Sequence, residues 1–321
     1  MIVPTSQNVF GPVPSRRLGQ SLGINNIPPK ICTYSCVYCQ LGRTNLMRIE
    51  RKPLYEPELL AAKIEQMVST IADQGEAIDY LTFVADGEPT IDANLGREID
   101  LIRPLGIKIA VITNGSLISR QDVRDDLSKA DWVSLKIDAV SEEVWRKIDR
   151  PQGKLSLVDI TASMVDFSAS YQGELATETM LVRSINDSTA ELSRIADLIE
   201  KLSPSIAYLA IPIRPPAEKK IKPASEATLA KAYQMFENHG IHTEYLIGYE
   251  GNSFASTGKA EQDLLSITAV HPMRRDAVEK LLDRDNAGWE LIGELVDAEK
   301  LIQTVYDGTT FYVRKLPGVK Y

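Results

Sequence analysis

Between Leu22 and Gly248 the chain repeatedly alternates short β-rich apolar runs with longer stretches of helical period. This pattern is what parallel strands joined by helical crossovers produce. It predicts strands over 21–25, 79–85, 107–113, 132–137, 175–182, 206–211 and 242–247. The helices between them have readable boundaries. Pro57 suits a first turn, Ser119 stands three residues before Asp122, Ser141 precedes 142–148, and Ser188 with Glu191 forms a capping box. Gly240, after 227–239, suits a C-terminal cap. Six or seven such units, with nearly continuous apolar strands, predict an α/β fold that is a partial or complete (β/α) barrel. Chemistry is then expected on the loops at the C-terminal ends of the strands.

The pattern changes at 251–259, a stretch rich in Gly, Ser, Asn and Thr. The predicted division is a barrel over 1–250, a linker over 251–265 and a small domain over 266–321. In the small domain a helix is expected from Pro272 through Leu282, a turn at 286–288, an amphipathic run over 289–301 and a hairpin over 304–315 around Asp307 and Gly308. Helix, turn, helix and ribbon together read as winged-helix-like. Residues 271–321 carry eight Lys or Arg against nine Asp or Glu, so this is not a basic DNA reader. A stabilising appendage is the first expectation, with docking or lid roles beside it. Phe311 and Tyr312 alternate faces of the ribbon, which puts at least one of them in a core.

Cysteine is scarce: the three residues Cys32, Cys36 and Cys39 fall within eight positions, on a loop that follows the turn-forming Pro28 and Pro29. That is no disulfide framework, and it points to metal ligation in a reducing compartment. Spacings of four and then three let a short coil wrap an iron–sulfur cubane, three thiolates reaching three irons and the fourth iron left open. The open iron suits an amino and a carboxylate group, such as those of S-adenosylmethionine (SAM). Since a cubane with three thiolates is already anionic, adding an electron makes it a strong reductant, able to break a sulfonium C–S bond and release a 5′-deoxyadenosyl radical. The alternative is a Cys3His zinc site borrowing His239, His242 or His271, although structural zinc sites usually pair two short couples.

The Cys-x3-Cys-x2-Cys spacing, with Tyr38 just before the last cysteine, resembles the motif of the radical SAM superfamily. The run from Gly11 to Gly23, continued by Tyr38-Cys-Gln-Leu-Gly42, is similar to the branch that includes the wyosine-forming tRNA enzymes. The chain departs from those enzymes in lacking the further cysteines of their second cluster. The superfamily resemblance implies a [4Fe–4S] cluster with one open iron, and SAM as cofactor. It also implies that Gly87, Glu88 and Thr90, in Asp86-Gly-Glu-Pro-Thr, hold the SAM ammonium, with Asp86 standing where many members have a second glycine. Asn114 in Asn114-Gly115 would lie near the methionine or ribose end, and main chain around Ile211 would cradle the adenine.

From the residues themselves, Ser134, Lys136 and Asp138 share one face of a strand and would meet the lumen, as cofactor or substrate contacts or as an internal Lys136–Asp138 pair. The catalytic candidates are Lys136, Asp138, Arg183 and Arg214, either arginine being suited to clamp a carboxylate or phosphate. Glu178 and Asn186 accompany them, and Arg16, Arg17 and Arg150 either cap the barrel mouth electrostatically or, as is commoner, are solvated surface arginines.

The formal net charge of −8 opposes non-specific attraction to a polyphosphate. Met1 to Phe10 lacks a signal-peptide pattern and no apolar run is long enough to span a membrane, so a cytoplasmic protein is expected. The favoured function is radical modification of a peptide, partner protein or metabolite, with electrons from a flavodoxin- or ferredoxin-like donor. Two alternatives stand beside it: tRNA modification, and a non-catalytic metal-dependent winged-helix regulator.

Overall fold

The structure, a computed structural model, describes residues 8–246, 258–270, 272–306 and 308–315. Its centre is an eight-stranded sheet. The strands are β1 (Val9–Ser15), β2 (Gly19–Ile24), then, past the two-residue strands β3 (Ile31–Cys32) and β4 (Leu46–Met47), β5 (Tyr80–Phe83), β6 (Lys108–Thr113), β7 (Trp132–Lys136), β8 (Glu174–Met180), β9 (Ile206–Ala210) and β10 (Thr243–Leu246). The order β1-β2-β5-β6-β7-β8-β9-β10 is parallel from β2 onward, and β1 runs antiparallel to β2. The sheet curls into a partial barrel whose edges β1 and β10 do not pair with each other. Across the gap, Arg16 Nη1 donates to the Tyr245 carbonyl at 3.3 Å.

The outer layer consists of α1 (Pro57–Asp73), α2 (Leu95–Ile102), α3 (Gln121–Leu127), α4 (Glu142–Ile148), α5 (Leu157–Ser170), α6 (Thr189–Leu202) and α7 (Glu226–Asn238). Pro57 does open α1, and the Ser188 hydroxyl accepts from Glu191 N as a cap should. The second half of that capping box is missing, because the Glu191 carboxylate turns to Val140 N at 2.7 Å and Ser141 N at 2.9 Å and so ties α6 to the β7–α4 loop. Ser119 caps nothing, since α3 is preceded by Arg120. Gly240 has φ 70° and follows α7, as its C-terminal position requires.

Six strands were legible, and the seventh, expected over 242–247, is β10, with Ile247 outside the described residues. β1 was not anticipated, because Gly11, Pro12 and Pro14 interrupt the apolar run by which a strand is recognised. An edge strand tolerates proline, and β1 is an edge.

Inside the curl, the lower lumen is filled by Leu18, Ala110, Trp132, Ala176, Ile206 and Tyr208. Leu18 comes from the β1–β2 turn, which sits at the N-terminal end of the parallel strands and closes that end. Gln20 N donating to the Asp79 carboxylate at 2.7 Å fastens the turn.

The remainder forms a second core around α8 (Ala260–Val270), α9 (Arg275–Arg284) and α10 (Glu290–Asp297), with β11 (Met273–Arg274), β12 (Leu301–Tyr306) and β13 (Thr309–Arg314) in a sheet ordered β11-β13-β12. The helix expected from Pro272 starts only at Arg275, because Met273 and Arg274 pair with Tyr312 and Phe311. Asp307, expected in the hairpin turn, lies outside the described residues, as do 251–257 of the expected linker. From Ala260 that linker is helical, and Leu264 is fully buried. Phe311 and Tyr312 are both buried. Val13 of β1 packs on this second core, and the Tyr306 hydroxyl donates to the Pro212 carbonyl at 3.0 Å, beyond β9. No helix among the described residues is long and apolar enough to cross a membrane.

Candidate active site

After β2 the chain enters the cysteine loop, which main-chain bonds fix to two neighbours, the segment after β5 and the end of α4. Lys30 N reaches the Asp86 carbonyl at 2.7 Å, Glu88 N reaches the Ile31 carbonyl at 3.2 Å, and Ser35 N and Val37 N each reach α4 or its end, at the carbonyls of Asp149 and Ile148, at 2.9 Å. Gly87 is required here, because a Cβ on it would lie 1.8 Å from the Ile31 carbonyl oxygen.

Burial, then Glu88, pushes the Cys32 thiol up to about 12, and burial, then Asp149, raises Cys36 well above its ordinary value. Thiolates here need a cation to compensate them. N–H groups are already directed at two of the sulfurs: Tyr34 N at 3.5 Å and Asn114 Nδ2 at 3.7 Å from Cys32 Sγ, and Lys30 Nζ at 3.7 Å from Cys39 Sγ. Such donors suit sulfurs that ligate iron. Cys36 Sγ instead faces Asp149 Oδ1 at 3.3 Å. The donor set therefore fits a cluster held by three thiolates.

His239 and His242 do not complete a zinc site. His239 bonds Met235 O and Asp197, and His242 bonds the Ser205 carbonyl at the N-terminal end of β10, opposite the cysteines. His271 lies outside the described residues.

The cysteines open onto a cavity of about 300 Å³ that occupies the upper lumen. Of the residues singled out by sequence, Tyr38, Gly87, Glu88 and Asn114 line it, as do Ser134, Lys136, Ile211 and Arg214. Thr90, Asp138 and Arg183 do not. Thr90 is a clamp: its hydroxyl donates to Glu88 Oε1 at 2.6 Å, as does Thr113, while Asn114 N takes Glu88 Oε2 at 2.8 Å. Four hydrogen bonds, counting Thr90 N, thus hold the carboxylate between the tips of β5 and β6.

Asp138 lies behind the barrel wall in a smaller cavity with Asp149 and Trp145, its oxygens taken by the Tyr38 hydroxyl and by Met180 N. Burial raises its carboxyl. Arg183 is exposed and donates to the Pro223 carbonyl, so it clamps nothing in the lumen. Arg214 donates to Gln40 Oε1 at 2.9 Å, and Asn186 is structural, bridging the carbonyls of Asp138 and Met180.

Lys136 pairs with Glu178 at 2.7 Å across the β7–β8 register, where a Lys136–Asp138 pair had been one expectation. The other Glu178 oxygen meets Arg17. Burial alone would raise the Glu178 carboxyl, but Lys136 and Arg17 outweigh it and bring it down to about 2. Lys136 is held above its ordinary value, because Glu178 and Asp138 outweigh the effect of burial, so it remains an ammonium.

Arg17 and Arg16 do not cap the mouth: both belong to the turn at the opposite end, and Arg17 reaches up into the lumen. Arg150 is at the mouth but engaged by Glu218 at 2.7 Å. Sequence reasoning missed Lys30 and Asp149. The proximity of Lys30 to Cys32 was a signal for the first, while nothing local marks the second.

The profile of the Radical SAM superfamily matches residues 26–192. The chain is 46% identical over 309 residues to UPF0026 protein MJ1312 of Methanocaldococcus jannaschii, covering 96% of each. It is 33% identical to a UPF0026 protein of Helicobacter pylori, over 86% of this chain and 88% of that one. A protein named GTPase Obg of Brachyspira hyodysenteriae is 30% identical over 96% of this chain but 45% of its own length. Among solved structures, TYW1 with a lysine–pyruvate adduct bound has a TM-score of 0.54 at 17% identity, covering 69% of this chain and 75% of that one. SuiB of Streptococcus suis bound to its precursor peptide SuiA has a TM-score of 0.52 at 13% identity, over 70% and 48%. These likenesses extend to the fold.

Proposed function

Because the chain belongs to the radical SAM superfamily, enzymes that use a [4Fe–4S] cluster and SAM, we propose that it abstracts hydrogen from a substrate held in the barrel lumen. Cys32, Cys36 and Cys39 would hold the cluster, with SAM bound beside it. When bound, the pair supplies a 5′-deoxyadenosyl radical by one-electron cleavage of the sulfonium. The protein's own part is to orient and to keep dry. Glu88, fixed by Thr90 and Thr113, and the main chain at Gly87 receive the SAM ammonium, while Asn114 and Ser134 flank the ribose and methionine and the main chain around Ile211 receives the adenine. Val84, Ile112, Met180 and Ala210 form an apolar wall that keeps water from the reacting carbon.

The observation that carries this reading is the convergence of all three cysteines, Glu88 and Asn114 on one cavity. The test is 5′-deoxyadenosine release by anaerobically reconstituted protein given SAM and dithionite. Wild type is expected to hold about four irons and release the nucleoside, and Cys36→Ala to do neither. Colourless protein with one zinc would end the reading.

The substrate is a metabolite, peptide or partner protein, and the electrons come from a flavodoxin- or ferredoxin-like donor. Three clustered cysteines that form no disulfide suit metal ligation in a reducing, cytoplasmic setting. An RNA substrate is the second reading, favoured by exposed Arg43, Arg183, Lys219, Lys220 and Lys222 on mouth loops, and salt-sensitive copurification of RNA tests it. The C-terminal unit, with its order of helices and ribbon, is winged-helix-like and serves as an appendage that braces the barrel. The non-catalytic regulator reading is dropped, since the superfamily is one of enzymes and the cysteines face the barrel cavity.

A further inference from the structure

Arg17 lies outside the span that matches the superfamily profile, yet it lines the lumen cavity. It rises from the turn that closes the N-terminal end of the barrel, while the cysteines and Glu88 approach from the C-terminal end. One Glu178 oxygen accepts from Arg17 Nη1 and the other from Lys136 Nζ, so both are spent on holding the two cations in place. The cations keep donors in reserve. Among the described residues, Glu178 is the only side chain that accepts a hydrogen bond from the guanidinium of Arg17 or the ammonium of Lys136, and the ammonium also stands 5.1 Å from the centre of the Tyr38 ring. Other acids are near but occupied: Asp138 accepts from Tyr38 and Met180 N, and Glu88 from the tips of β5 and β6. Both cations line the cavity with N–H groups that Glu178 does not use, and a guanidinium beside an ammonium suits the paired oxygens of a carboxylate or phosphate.

We propose that Arg17, with Lys136, forms an oxyanion subsite in the lumen that anchors a small substrate by its carboxylate or phosphate group, separately from SAM. This rests on the radical SAM reading for the identity of the neighbouring cofactor, but the subsite itself is a property of the β1–β2 turn and of the β7–β8 pair. Glu178 acts there as the positioning residue: without it, two like charges would share the lumen.

Acetate and inorganic phosphate serve as minimal probes on the reconstituted holoenzyme saturated with SAM, followed by saturation-transfer NMR for acetate and by phosphorus line width for phosphate. At least one of them is expected to bind wild type, to bind Arg17→Gln at least tenfold more weakly, and to bind Arg17→Lys with an intermediate loss. Arg17→Lys keeps the pairing charge for Glu178, and its unchanged melting temperature guards against a folding artefact. Acetate alone binding would assign a carboxylate substrate, and phosphate alone a phosphorylated one. Equal binding of both anions to wild type and Arg17→Gln overturns the proposal, as does a tenfold loss of SAM affinity in Arg17→Gln with anion binding intact, which would hand Arg17 to the cofactor. If wild type binds anions but releases no 5′-deoxyadenosine, the radical reading fails and the subsite survives.

Discussion

Replacing Glu178 by Gln keeps the shape of the side chain and removes the charge that lies between Arg17 and Lys136. The size of the effect follows from the titration of the group. Its carboxyl falls from 4.5 to about 2 in the folded protein, and at ~1.4 kcal/mol per unit the ionised form contributes about 3 kcal/mol at neutral pH. All three side chains are mostly buried, at 11% exposure for Glu178, 16% for Arg17 and 23% for Lys136, so solvent screening removes little of this. The same figure is reached from the other side, since leaving a buried charge without its partner costs roughly 3–5 kcal/mol.

The sign in pH is fixed. A lowered carboxyl contributes fully above its ordinary value of 4.5 and loses that contribution as pH falls towards 2. Urea unfolding of thiol-reduced, anaerobic protein is therefore expected to find Glu178→Gln about 3 kcal/mol less stable at pH 7, with a melting temperature lower by roughly 6 °C, and the gap closing below pH 4.5. Adding Lys136→Met to that variant is expected to restore part of the loss, because one orphaned cation goes with it. A difference under about 1 kcal/mol at pH 7, or one that stays constant down to pH 3, would refute the electrostatic account.

Two further outcomes can be checked directly. Gly87→Ala would put a methyl group 1.8 Å from the Ile31 carbonyl oxygen, which is main chain and cannot swing aside; reconstituted protein is expected to carry less than half the iron of wild type with unchanged far-UV circular dichroism, and full occupancy would contradict the close approach. Tyr306→Phe removes the bond to the Pro212 carbonyl, at a cost of about 1 kcal/mol, and is expected to speed hydrogen exchange in the loop following β9; unchanged exchange there would mean that the C-terminal unit does not brace it.

What sequence made readable, and what it hid, divides along physical lines. β2 and β5 to β9 are covered on both faces, so their apolar residues run on and stand out against the helical period. β1 carries Gly11, Pro12 and Pro14, and only knowledge that it is an edge makes those residues compatible with a strand. The cysteines were legible because their spacing is itself the geometry of the site. The partner of Lys136 was not legible, because residues two apart on one strand share a face but stand farther apart than direct neighbours across the ladder, and the register sets Lys136 against Glu178. Arg17, open to reading as a mouth cap or a solvated surface residue, proved to be neither: an arginine in a turn looks solvated until the curl of the sheet reveals which way the turn points.

Val13 belongs to the first strand, yet it finishes its packing against residues from α8 onward. During synthesis the β1–β2 hairpin keeps that side chain bare until the residues from Ala260 onward have been made. A shortened chain should thus betray itself at its beginning, as fraying of residues 9–15, before any damage reaches the iron-binding loop.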